Sequence, residues 1–287
     1  MIHPTAIVHP SAEVAADVQI GEYSIIGASV KVGPGSRIGP FVVIDGWTEI
    51  GEKCEIYAGA VIGTEPQDFK YGGEQTTVRI GDRNVIREYV TINRGSEGGE
   101  TRIGNGNLIM AYAHIGHNCS IGNEVTISNA CGLSGHVAVE DKAVLGGMAG
   151  IHQFVRIGSL AMVGGYTKIV QDVPPYLLVE GQPARVCGIN SKGLRRHAIS
   201  AQVRKELKHA YRIFYRSGLT VSQALEEIDS NLNASQELTY LLGFLRNPTR
   251  RGILRRGSSS FGHSARTTGH AAFSGPSELC SLNLESK

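Results

Sequence analysis

Aromatic residues are scarce in this chain. Phe, Tyr and Trp together make 6% of its 287 residues, and there is one Trp. That argues against a core of large aromatic side chains. Cysteine is sparse too: Cys54, Cys119, Cys131, Cys187 and Cys280 are odd in number and form no Cys-x-x-Cys pair. This spacing speaks against a disulfide framework or a zinc ribbon and for reduced thiols, some of them buried. No uninterrupted apolar run approaches the ~18 residues that span a bilayer, so stable membrane insertion is not expected. The opening Met1-Ile2-His3-Pro4 lacks the charged region and apolar stretch of a signal peptide, which makes a cytoplasmic protein the expectation. Charge of one sign is missing as well: 28 Lys/Arg stand against 26 Asp/Glu, net +2.

Branched aliphatics at a fixed spacing are present throughout. From Ile2, every sixth residue is Ile, Val or Leu through Ile62, again in phase at Ile80, Ile86 and Ile92, and after a phase shift from Ile103 to Ile169. A fixed short repeat names an architecture before any other signal does. Six matches neither the helical period of about 3.6 nor the strand period of about 2. It fits a chain that turns a corner every six residues, with one aliphatic side chain pointing into a narrow prism. Three hexads close a triangular coil of 18 residues, and coils stack at the strand spacing of about 4.8 Å. Gly often follows the aliphatic slot, as in Ile20-Gly21 and Ile121-Gly122, and is expected to let the backbone turn the corner.

The period changes after Val170. Gly181-Gln182-Pro183-Ala184 reads as an exit turn. Residues 199–215 carry apolar positions at helical spacing, Thr220 opens a second helix to about Ile228, and Ser235-Gln236 a third to about Leu245. We therefore expect a prism over 1–187, a helical domain over 188–256 and a disordered extension over 257–287, which is Ser/Gly-rich and aperiodic. Charge divides along the same lines. Residues 1–187 hold 13 Lys/Arg and 19 Asp/Glu, net −6, and residues 188–256 hold 13 and 5, net +8. Such a concentrated basic excess suits an acidic docking partner. No nucleic-acid recognition motif accompanies it, so nucleic acid is not expected.

A perfect prism has no pocket, so departures from the repeat mark candidate chemistry. Two insertions interrupt it, Thr64 to Val78 and Arg94 to Arg102. Four of the ten histidines, His114, His117, His136 and His152, fall between residues 114 and 152. With an 18-residue coil, His117 lies under Gly135 and Gly135 under Gln153. An imidazole beside an unhindered backbone N–H is a minimal kit for direct acyl transfer. Two readings stay open on the residues alone: ordinary corner histidines, and a His-x-x-His metal site, which has no evident third ligand.

The repeat resembles the hexapeptide-repeat acyltransferases, whose fold is a left-handed parallel β-helix. The resemblance narrows to the UDP-N-acetylglucosamine acyltransferases on Gln67-Asp68-Phe69-Lys70-Tyr71, Thr91-Ile92-Asn93-Arg94-Gly95, Ala113-His114-Ile115-Gly116-His117, Ser134-Gly135-His136, His152-Gln153-Phe154, Gln171-Asp172-Val173-Pro174-Pro175-Tyr176 and Thr249-Arg250-Arg251-Gly252. It covers residues 1 to about 256. It implies an all-β prism followed by a small C-terminal α-helical domain, and the first step of lipid A synthesis. His117 would be the general base and Gly135 N–H the oxyanion donor. Gln67, Asp68, Lys70, His114, His136, His152, Gln153, Asn190 and Arg196 would bind the nucleotide sugar. No metal or cofactor is implied, since the acyl group arrives on the phosphopantetheine of acyl carrier protein. A homotrimer, with each site between neighbours, is implied as well. Asn118 stands where some members carry Asp, so what orients His117 is left open; Lys192 and His197 also depart from the pattern. Transfer to a sugar amine, or from CoA, is the sibling alternative, and an inert scaffold the remote one.

Overall fold

The computed structural model describes residues 1–231 and 235–255. Residues 257–287, expected above to be disordered, lie outside the described residues. Residues 1 to 256 form one compact unit. Its body is a left-handed parallel β-helix of three faces, carrying nine, eight and ten strands. Across most of the prism each strand pairs with the strand 18 residues on, as in His114↔Gly132, Gly132↔Gly150 and Gly150↔Lys168.

The aliphatic column is buried from Ile20 to Ile169 and frays only at the open end, where Ile2 is 49% exposed. Each fully buried member contributes roughly 1.5–3 kcal/mol. A second interior column lies two residues earlier in each hexad and takes side chains smaller than Ile: Val42, Val90, Ser24, Ser36, Ala60 and Ala113 are buried there. Cys54, Cys119 and Cys131 occupy the same column as free thiols, and burial pushes the last two up to about 12.

The glycine after the aliphatic slot does not turn the corner. The left-handed backbone falls two residues later, on non-glycine residues such as Tyr23 (φ 56°), Phe41 (φ 56°) and Tyr112 (φ 62°). At Gly21 the constraint is the neighbouring coil: a Cβ would sit 2.7 Å from the Gly39 carbonyl carbon. Glycine there sets coil-to-coil spacing. The left-handed corners point several aromatics outward. Tyr23 stacks on Phe41 at 5.3 Å and Tyr89 on Tyr112 at 5.1 Å, all four exposed.

Leu177–Glu180 adds a parallel strand and Arg185–Ile189 folds back antiparallel upon it, so the expected exit turn is a hairpin turn. Among the described residues four helices follow: α1 (Ser191–Arg196), α2 (Ala201–Arg216), α3 (Val221–Asn231) and α4 (Gln236–Arg246). The first lies outside the expected helices, being short and without apolar period. Ser200 and Ser235 cap α2 and α4, accepting from Val203 N–H and Leu238 N–H. The apolar helix faces, including Leu207, Phe214, Leu241 and Leu245, close over Leu160 and Tyr176 of the last coils.

Candidate active site

The two insertions leave the prism one coil apart and meet beside His117. Insertion one, between strands Val61–Thr64 and Thr77–Ile80, brings Gln67 and Asp68. Insertion two, between Thr91–Asn93 and Glu100–Ile103, brings Ser96. Arg94, almost wholly buried, ties them together: its guanidinium donates to Tyr71 Oη at 2.7 Å and to Gly63 O at 3.1 Å.

His117 sits on the turn after strand His114–Ile115. Its Nδ1 lies 2.7 Å from Asn118 Oδ1. The direction of that amide is set by Ser96, whose N–H donates to Oδ1 at 3.0 Å while Asn118 Nδ2 donates to Ser96 O at 3.2 Å. With Oδ1 facing the ring, Nδ1 must carry the hydrogen. Nε2 is left with a free lone pair, 3.8 Å from Asp68 Oδ2. The Ser96 hydroxyl is 3.2 Å from that same oxygen and donates to it. Asp68 is held below the usual carboxylate range, chiefly by the Lys70 N–H that it accepts, then by Ser96 and by His117. It is therefore an anion facing the nitrogen that would become positive.

Gly135 stacks directly on Nε2. A Cβ there would fall 2.3 Å from it, so only glycine fits without displacing the ring. The Gly135 N–H finds no acceptor among the described residues. An unspent donor and an unspent lone pair thus lie side by side at one spot.

The spot opens into a cleft of about 750 Å³ lined by Gln67, Asp68, His114, His117, Gly135, His152 and Gln153. His114 bonds Thr91 Oγ1 at 2.7 Å, and burial, then repulsion from His117, lowers its pKa. His136 stands behind the base, edge-on to His117 at 5.2 Å and stacked on Phe154 at 4.5 Å. Burial and His117 lower its pKa too. Besides His136, which stands behind the base, three expected site residues do not line the cleft. Lys70 is largely exposed, its Nζ 3.7 Å from Glu97. Asn190 spends its amide on structure, accepting from Gly193 N–H to cap α1 and donating to Leu160 O. Arg196 is exposed in the last turn of α1. Sequence reading missed Ser96, which lies in an insertion it had singled out. It also missed Met148, Tyr166 and Lys168, which line the cleft from later coils.

Comparison with known proteins bears on what such a cleft does. Residues 172–254 match the family described as UDP N-acetylglucosamine O-acyltransferase, domain 2, and residues 29–64 and 100–135 match the bacterial transferase hexapeptide. An acyl-[acyl-carrier-protein]--UDP-N-acetylglucosamine O-acyltransferase of Gloeothece citriformis is 53% identical over 249 residues, covering 86% of this chain and 90% of that protein. This chain belongs to that acyltransferase family. Solved acyltransferases have the same shape. LpxA from Acinetobacter baumannii superposes with a TM-score of 0.85 at 42% identity, over 88% of this chain and 99% of that one. LpxA of Bacteroides fragilis, described as a UDP-N-acetylglucosamine acyltransferase, gives 0.86 at 39%, over 89% and 100%.

Proposed function

We propose that this acyltransferase moves a 3-hydroxyacyl chain from acyl carrier protein to the 3-hydroxyl of UDP-N-acetylglucosamine, the first step of lipid A synthesis. The carrying observation is the convergence of a bare His117 Nε2 and a free Gly135 N–H on one side of the cleft. His117 Nε2 takes the 3-hydroxyl proton as the oxygen attacks the thioester carbonyl. Gly135 N–H donates to the oxyanion, and Asp68 steadies the imidazolium. Collapse expels the carrier thiolate, which recovers the proton from His117. The buried Cys119 and Cys131, held as thiols by burial, are poor nucleophiles, which favours direct transfer over a covalent intermediate. On this reading Gln67, His114, His152 and Gln153 hold the nucleotide sugar, His136 backs the base, and the chemistry needs no metal and no cofactor beyond the carrier's own phosphopantetheine.

The same reading divides the labour: the prism, 1–187, carries the chemistry, and the basic part, 188–256, steers the acidic carrier in the cytoplasm. It also takes the working form to be a homotrimer. The exposed aromatic edge supports this, as do Ile7 and Ile25, 64% and 43% exposed on the cleft-bearing face. A neighbouring copy would then supply Asn190 and Arg196, which a single chain keeps off the cleft. The test is mass spectrometry of the product formed from UDP-N-acetylglucosamine and a panel of 3-hydroxyacyl carriers. An O-linked acyl group at the 3-position is expected. An N-linked product, or equal efficiency with acyl-CoA, would overturn the assignment.

A further inference from the structure

Two segments singled out in the sequence have no task in the site as described: Gln171 to Tyr176 and Thr249 to Gly252. The fold joins them. The Asp172 side chain is fully buried and accepts from Thr249 N–H at 2.7 Å, Thr249 Oγ1 at 2.8 Å and Arg156 N–H at 2.9 Å. The backbone repeats the contact: Asp172 N–H donates to Gly252 O, and Leu254 N–H to Asp172 O, both at 2.8 Å. The chain after α4 is therefore pinned to the last coil on either side of Arg250 and Arg251.

Arg251 reaches the wall of the cleft, and Arg250 the ring behind it. Arg251 Nε donates to Gln153 O at 2.7 Å, and its Nη2 lies 2.6 Å from His152 Nδ1. A guanidinium only donates, so Nδ1 is bare and the neutral ring carries its proton on Nε2. Arg250 lies over Phe154, with 3.2 Å from the guanidinium carbon to the ring centre. Phe154 in turn backs His136, and His136 backs His117. A cation, a phenyl ring and an imidazole thus form a column behind the base.

We propose that Arg250 and Arg251 are positioning residues for acyl transfer. Arg251 fixes His152 as an Nε2–H donor at the cleft, and Arg250 holds the Phe154–His136 stack against His117. The kinetic consequence rests on the acyltransferase reading; the tautomer of His152 does not. Long-range proton–nitrogen correlation spectra of histidine-labelled protein read that tautomer directly, with His152 assigned through its loss in His152→Gln. Wild type shows a bare Nδ1 and a protonated Nε2. In Arg251→Met the Gln153 carbonyl, 3.3 Å from Nδ1 and freed of Arg251, takes over as partner, and the proton moves to Nδ1. Arg251→Lys keeps a donor and the wild-type tautomer.

In kinetics, Arg251→Met raises KM for the nucleotide sugar about tenfold, the scale of one hydrogen bond. Arg250→Met lowers kcat by about tenfold with that KM unchanged. Should Arg251→Met fail to fold, Thr249→Val keeps both arginines, loosens the latch and moves the same resonance toward a mixture. An unchanged tautomer overturns the proposal. So does a rise in KM for the acyl carrier alone, which would make the arginines a carrier-docking patch. A wild-type enzyme that acylates no nucleotide sugar would sink the acyltransferase reading and leave the tautomer result standing.

Discussion

His117 is held by a neutral partner. Asn118 can accept from Nδ1–H but cannot pair with an imidazolium as a carboxylate would, and the anion in this site, Asp68, sits on the Nε2 side instead. The orientation of the base therefore depends on the Ser96–Asn118 pair of hydrogen bonds. Asn118→Leu removes the nearer of two acceptors, leaving Nδ1 only the Ser96 hydroxyl at 3.0 Å, and loosens the ring. We expect kcat to fall by about ten- to a hundredfold, at or below the lower limit of what a general base supplies, with little change in KM. Steady-state kinetics in both substrates measure it.

The neighbouring histidines make the fold acid-sensitive. His114 and His136 have folded-state pKa values below their ordinary one, for burial first and His117 second. In the unfolded chain they take protons near 6.5; in the folded chain they resist them. Their contribution to stability is complete above that value and is lost as pH falls below it. The melting temperature should drop between about pH 7 and 5 beyond what the carboxylates explain, since those titrate near 4. His114→Gln should flatten part of that slope; an identical slope would show that His114 is not among its causes.

At the scale of the coil, two glycines separate stability from rate. Gly21→Ala pushes a methyl against the backbone of the next coil at 2.7 Å, where nothing can yield cheaply. Gly135→Ala pushes one against the His117 ring, which can swing away. The first should lower the melting temperature and spare kcat per folded molecule. The second should lower kcat and nearly spare melting. Thermal unfolding beside kinetics separates them, and equal effects on both quantities would refute the distinction.

The hexad rule made this element legible in advance. One aliphatic every six residues, from Ile20 to Ile169, required a narrow three-sided prism. The 18-residue coil places His117, Gly135 and Gln153 in one stack. The role of the following glycine was misread, because close approach between coils leaves the same mark in a sequence as a turn. Ser96 escaped because its value lies in contacts with Asp68 and Asn118, residues 28 and 22 positions away. Arg251 escaped as a site residue because its meeting with His152, 99 positions away, depends on how the helical end folds back. A linear pattern carries no information on such closures.

For the whole molecule, the aromatic edge and Ile7 and Ile25 are exposed, and the trimeric reading proposes that a second and third copy cover them. Light scattering should give three times the mass of the 30.7 kDa chain. Tyr112→Lys, placing a charge in the exposed edge, should shift that mass toward the monomer and lower activity in step. Full activity from a monomer would remove the argument that neighbours complete the cleft. The account as a whole turns on one nitrogen, and its most direct test is the turnover of His117→Ala measured on folded protein against wild type. We expect a loss of about 10²–10⁴-fold with melting nearly unchanged. Retention of more than about a tenth of the wild-type rate, well short of a general base's usual share, would show that His117 is not the base.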